Sequence, residues 1–125
     1  MGDKLDRIFE LQARFQKDLA ARRGLHGIPM EDWLQRMTLA MVSELAELIG
    51  EVNFKWWKDP KPVDPDRVRD ELADILHFFV GMCLSAGLTA EELFARYAAK
   101  NRVNFQRQDG EAGGEGYASP PSGGE

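Results

Sequence analysis

The chain has 125 residues, 43% of them hydrophobic and 30% charged, with a formal net charge of -5. That length suits one domain with a real core, and the acidic balance argues against nonspecific nucleic-acid binding. A lone cysteine, Cys83, excludes an internal disulfide and a cysteine-rich zinc site, and its neighbours Met82 and Leu84 mark it as a buried structural thiol. No run is apolar enough to span a membrane, and the N-terminus lacks the pattern of a signal peptide. The expectation is a cytoplasmic protein that contacts neither membrane nor nucleic acid.

Residues 4–23 form the first predicted helix, with Ile8, Leu11, Phe15 and Leu19 spaced by three or four and Gly24 as the stop. Gln12 and Gln16 lie beside that stripe, and spacing alone favours solvated side chains. Gly24 to Met30 is a loop, and His26 within it has no visible partner. Residues 31–53 form the second helix. Leu34, Met37, Met41, Leu45 and Leu48 make its stripe, widened by Thr38, Val42 and Ile49. Glu44, Glu47 and Glu51 fall together on one shoulder of it.

The segment Asn53-Phe54-Lys55-Trp56-Trp57-Lys58 follows, then a proline-punctuated loop to Asp64. Its two tryptophans suit a hydrophobic plug with snorkelling lysines, or equally a stacking surface beside phosphate-binding ammonium groups. Asp64-Pro65 is a helix start, with Asp64 as N-cap and Pro65 at the first helical position. The third helix runs to about Ala86 and stops at Gly87, with Val68, Leu72, Ile75, Phe79 and Met82 as its stripe. Glu71 and Asp74 occupy a shoulder, Phe78 and Val80 lie off the stripe, and His77 points well away from its centre as a surface or interface residue. Apolar positions on more than one side predict oligomerisation, to a homodimer or homotetramer. Thr89-Ala90-Glu91-Glu92 is a capping box for the fourth helix. On that helix Lys100, Asn104 and Arg107 share one face, a way to present donors to polyphosphate. Residues 1–108 are expected to be the folded domain and 109–125, including Tyr117, a flexible tail.

Glu44-x-x-Glu47 and Glu71-x-x-Asp74 each set two carboxylates three residues apart, hence on nearly one helix face. Two such helices packed antiparallel gather four acids that repel one another until a hard divalent cation binds. Magnesium is the first candidate, with manganese as a substitute. A cation there polarises phosphorus and lowers the pKa of a water, and a spare carboxylate takes the proton. No serine, cysteine or histidine nucleophile is needed, and the phosphate-cradling glycine motifs are absent. A di-iron bundle wants two Glu-x-x-His motifs, which the chain lacks.

This arrangement resembles the signature of the all-α NTP pyrophosphatases, the MazG-like superfamily, and within it the dimeric dUTPases. Phe54-Lys55-Trp56-Trp57, Leu76-His77-Phe78-Phe79 and Tyr97-x-x-Lys100-Asn101-x-x-Asn104-x-x-Arg107-Gln108 are similar to further stretches of that branch. The resemblance covers residues 5–108. It implies an all-α bundle of four to five helices that hydrolyses dUTP to dUMP and pyrophosphate. By that resemblance Glu44, Glu47, Glu71 and Asp74 ligate magnesium, and Glu44 or Glu47 orients the attacking water. Lys55, Lys100 and Arg107 then contact phosphate, while Gln12, Trp57, Asn101 and Asn104 line the nucleoside pocket. The chain lacks the helical insertions of the trypanosomatid enzymes, so a second subunit is expected to complete the pocket. Two alternatives share the sequence: a housecleaning pyrophosphatase for other or non-standard nucleoside triphosphates, and a helical interaction module without catalysis.

Overall fold

A computed structural model describes residues 2–110. They form four helices and, among the described residues, no strand: α1 (Lys4–Arg23), α2 (Met30–Glu51), α3 (Pro65–Ser85) and α4 (Ala90–Gln108). The fold class is all-α, as expected. Of the expected tail, residues 109–125, all but the first two residues lie outside the described residues, Tyr117 among them.

Local chemistry sets most of the helix ends. At the start of α1, Asp6 N–H donates to Asp3 Oδ1 at 3.0 Å and Asp3 N–H donates back to Asp6 Oδ2 at 3.1 Å. This reciprocal cap satisfies two backbone donors that the first turn leaves open. Gly24 ends α1 in the left-handed region at φ 64°, where its N–H reaches Ala20 O and a side chain would be strained. Asp64 caps α3 by accepting from Asp66 N–H at 3.0 Å, with Pro65 at the first helical position. One boundary differs from expectation. α2 stops at Glu51 rather than residue 53, because Asn53 adopts φ 59° and turns the chain out of the helix.

The chain divides into two compact units, with the second beginning at Ala90. Within the first, α3 is central and packs against both α2 and α1. Thr38 Oγ1 meets Met82 Sδ at 3.4 Å, Ser85 Oγ meets Met37 Sδ at 3.9 Å, and Arg67 Nη1 meets Glu51 Oε1 at 3.8 Å. Climbing α2 thus descends α3, which makes the pair antiparallel. Against α1 the order is reversed. Gln12 faces His77, and Gln16 lies next to Gly81, so α1 and α3 run parallel. A Cβ at Gly81 would fall 2.7 Å from Gln16 Nε2 and 3.0 Å from Met37 Sδ. The glycine lets three helices close on one point.

The buried positions of this unit are not the stripes that periodicity marks. Phe9, Gln12, Val80, Gly81 and Cys83 are buried, and Val80, expected off the stripe, is fully shielded. Leu11 and Phe15 of α1 and Leu72, Leu76 and Phe79 of α3 are exposed instead. The reason is that α3 has neighbours on two sides, while its most apolar strip lies between them and faces outward. α2 likewise has no fully buried residue and leaves Leu39, Val42 and Ile49 exposed. Among the described residues no single helix is long and apolar enough to cross a membrane.

Candidate active site and metal centre

Antiparallel packing brings the two acidic motifs face to face. α2 carries Glu44 and Glu47 one turn apart, and α3 sets Glu71 opposite them. One carboxylate oxygen from each of the three lies within 4.8 Å of the others. Glu44 Oε2 and Glu71 Oε2 are shut off from solvent with no hydrogen-bond partner. Among the described residues, no lysine or arginine ion-pairs with any of the three. Arg67, the nearest in register, is 3.8 Å from Glu51. Burial pushes the Glu71 carboxyl up to about 7, helped by the Glu44 carboxylate beside it and by the negative charges of Glu47 and Glu44.

Buried, unpartnered carboxylate oxygens aimed at one another are costly in a folded chain. A hard cation with oxygen ligands satisfies all of them together, so the residues present fit a divalent metal. Asp74, the expected fourth ligand, follows one turn after Glu71, is exposed and stands outside the close group.

A consequence for the metal-free chain follows from Glu71. Its folded carboxyl holds a proton that the unfolded chain, with the ordinary value of 4.5, releases earlier. That contribution to stability is therefore complete below the unfolded value and is lost as pH rises through about 7. In EDTA the melting temperature is expected to fall between pH 5 and pH 8, and Glu71→Gln is expected to flatten the profile. Magnesium, replacing the proton, is expected to restore stability at pH 8. Thermal melts across that range with and without the metal check all three.

The segment after α2 stays close to the carboxylates in sequence and holds the aromatic cluster. Trp56 and Trp57 meet edge to face at 4.6 Å between centroids, and Phe54 meets Trp57 at 6.3 Å. With Trp56 82% and Trp57 57% exposed, they are not a plug in this chain's core. Lys55 lines an open pocket of about 560 Å³ with Lys58, Lys61 and Asn53. Asn53, given no role by the sequence, bonds to the backbone of Lys61 on both sides of its amide.

Gln12 is buried rather than solvated, because His77 Nδ1 donates to its Oε1 at 2.9 Å. His77 thus bonds to α1. In the sequence its place off the apolar stripe and the leucine-histidine-phenylalanine likeness drew attention to it, but neither pointed to Gln12. Within α4, Lys100, Asn104 and Arg107 line one open pocket of about 410 Å³ with Ala99 and Val103, and Asn101 lies off that lining, half-buried.

A family model described as dUTPase matches residues 4–86, a span that holds all three clustered glutamates and Asp74. A dCTP pyrophosphatase of Enterobacteria phage T4 is 46% identical over 48 residues, covering 38% of this chain and 28% of the relative. A dCTP pyrophosphatase of Enterobacteria phage LZ5 is 41% identical over 60 residues, covering 48% of this chain and 35% of the relative. The chain thus spans about a third of the length of the curated relatives it matches. No solved structure matches it significantly. With two acidic helices in antiparallel register and the family model running through both, the chain belongs to the dUTPase family of all-α NTP pyrophosphatases.

Proposed function

We propose that the chain is a magnesium-dependent pyrophosphohydrolase of pyrimidine deoxynucleoside triphosphates, with dUTP as the leading substrate. The observation that carries this reading is the close group Glu44, Glu47 and Glu71, with two of its oxygens buried and unpartnered. In this reading the three glutamates hold magnesium, or manganese in its place, and Asp74 completes the set. The bound cation supplies charge neutralisation at the phosphates and a lower pKa for water.

Water attacks the α-phosphorus, the bond to the oxygen bridging the α- and β-phosphates breaks, and pyrophosphate leaves. The water's proton passes to Glu44 or Glu47, which also orients the attack. Lys55, Lys100 and Arg107 contact the phosphates, and Gln12, Trp57, Asn101 and Asn104 surround the nucleoside. The exposed faces of Leu11, Phe15, Leu72 and Leu76 support a homodimer or homotetramer, in which a second copy contributes to the pocket. Neither nucleic acid nor a membrane is required, and a cytoplasmic pool of nucleotides suits the chemistry.

A second reading rests on the relatives, whose names point to dCTP. The two readings keep the carboxylates and differ in the pocket for the base. Pyrophosphate release from dUTP, dCTP, dTTP, dATP, dGTP and UTP, with magnesium and with an EDTA control, separates them. Preference for dUTP that EDTA abolishes is the expected result. Preference for dCTP supports the second reading, and release from many nucleotides supports a housecleaning enzyme. Absence of release from all six would favour a helical interaction module.

A further inference from the structure

Asn53 holds two roles in a small space. Its backbone leaves α2 at φ 59°, a conformation that asparagine tolerates better than most residues. Its side-chain Nδ2 donates to Lys61 O at 2.9 Å, and its Oδ1 accepts from Lys61 N–H at 2.8 Å. The amide thus mimics a paired backbone strand and ties residue 53 to residue 61. Everything between them becomes a closed loop, tightened by Lys58 N–H donating to Lys55 O at 3.1 Å. Lys55, Lys58 and Lys61 then line one open pocket of about 560 Å³ with Asp59, against the last turns of α2 at Ala46, Ile49 and Gly50. Three ammonium groups against one carboxylate leave the pocket net positive, and none of the three lysines takes part in a salt bridge among the described residues. The helix that ends at this pocket is the one carrying Glu44 and Glu47.

We propose that Asn53 is a positioning residue, whose double hydrogen bond to Lys61 holds Lys55, Lys58 and Lys61 as a receptor for the phosphate end of the nucleotide. The inference rests on the hydrolase reading for its substrate, but the loop and its anion site can be tested without turnover.

Asn53→Gly keeps the left-handed backbone and removes both side-chain bonds. Inside the loop, trypsin can cut after Lys55 and Lys58, while the bond from Lys61 to Pro62 resists it. In the variant, cleavage at those two bonds is expected to quicken about tenfold. Affinity for magnesium pyrophosphate, read by tryptophan fluorescence, is expected to fall about tenfold as well. With the best nucleotide, KM is expected to rise by a similar factor while kcat stays within about twofold, the signature of lost phosphate binding. Lys58→Ala, which leaves the lock intact, is expected to weaken pyrophosphate binding and leave cleavage after Lys55 unchanged.

Unchanged proteolysis in Asn53→Gly would overturn the lock. Faster proteolysis with unchanged pyrophosphate affinity and KM would overturn the phosphate receptor. A chain that binds pyrophosphate through this loop yet hydrolyses no nucleotide would instead defeat the hydrolase reading and leave the receptor standing.

Discussion

Glu47→Gln is expected to lower magnesium-dependent pyrophosphate release by about a thousandfold, roughly 4 kcal/mol of transition-state stabilisation. The substitution is nearly isosteric, so packing is preserved. It removes one charge from a group in which one carboxylate oxygen of each glutamate lies within 4.8 Å of the other two. Cation affinity falls with that charge, and so does the capacity to accept a proton from water. Glu47 is exposed, so the helices should remain intact, and circular dichroism of the variant should overlay the parent. Glu71→Gln should be as damaging to turnover, yet it removes a repulsive, proton-holding carboxyl from the metal-free chain. The two variants thus part company in EDTA, where Glu71→Gln should be the more stable at pH 8. Asp74→Asn is the informative companion. Loss of turnover would place Asp74 with the ligands, and full activity would reduce the set to three glutamates.

The second large effect concerns assembly. Phe15 is 61% and Leu76 40% exposed, and both border an apolar groove of about 460 Å³ between α1 and α3, with Ile8 and Leu11 beside them. Each such side chain is worth roughly 1.5–3 kcal/mol when its burial is completed. Phe15→Glu with Leu76→Glu should therefore weaken a dimer built on this face by about a thousandfold or more. Light scattering at micromolar concentration should then report a monomer where the parent is a dimer or tetramer. Turnover should fall with it if, as proposed, a second copy contributes to the pocket. A parent that is already monomeric and active would remove the assembly argument and leave the carboxylate chemistry untouched.

How far the sequence reached can be seen element by element. The stop of α1 and the start of α3 were legible because Gly24, Asp64 and Pro65 act locally, through bonds and torsions within one turn. The end of α2 was missed because its stop is an asparagine whose partner is eight residues on, at Lys61. Glu44, Glu47 and Glu71 were legible as a cluster because two helix-spaced pairs need only an antiparallel contact to meet. That Asp74 stands apart depends on the rotation of α3, which its spacing leaves undefined. The buried face of α3 was misjudged for the same reason. Periodicity locates the most apolar strip, but a helix with two neighbours buries the flanks of that strip, here Val80, whereas the burial of Cys83 was read correctly from its apolar neighbours. The bond between Gln12 and His77 joins residues 65 apart, and neither neighbourhood betrays it.

The sulfur of Met37 has a different kind of consequence. Gln16 Nε2 on α1 lies 3.8 Å from it and Ser85 Oγ on α3 lies 3.9 Å from it, so one thioether joins all three helices of the first unit. It also lies 3.0 Å from where a Cβ on Gly81 would sit, so there is little spare volume on that side. Conversion to the sulfoxide adds an oxygen and a strong dipole to a soft, weakly accepting atom. The junction is thus a point of oxidative weakness, where peroxide would strain the contact between α2 and α3 that gathers the glutamates. Oxidation at Met37 would thus reach the carboxylates indirectly, through the packing of α2 on α3, and sulfoxide reduction would reverse it.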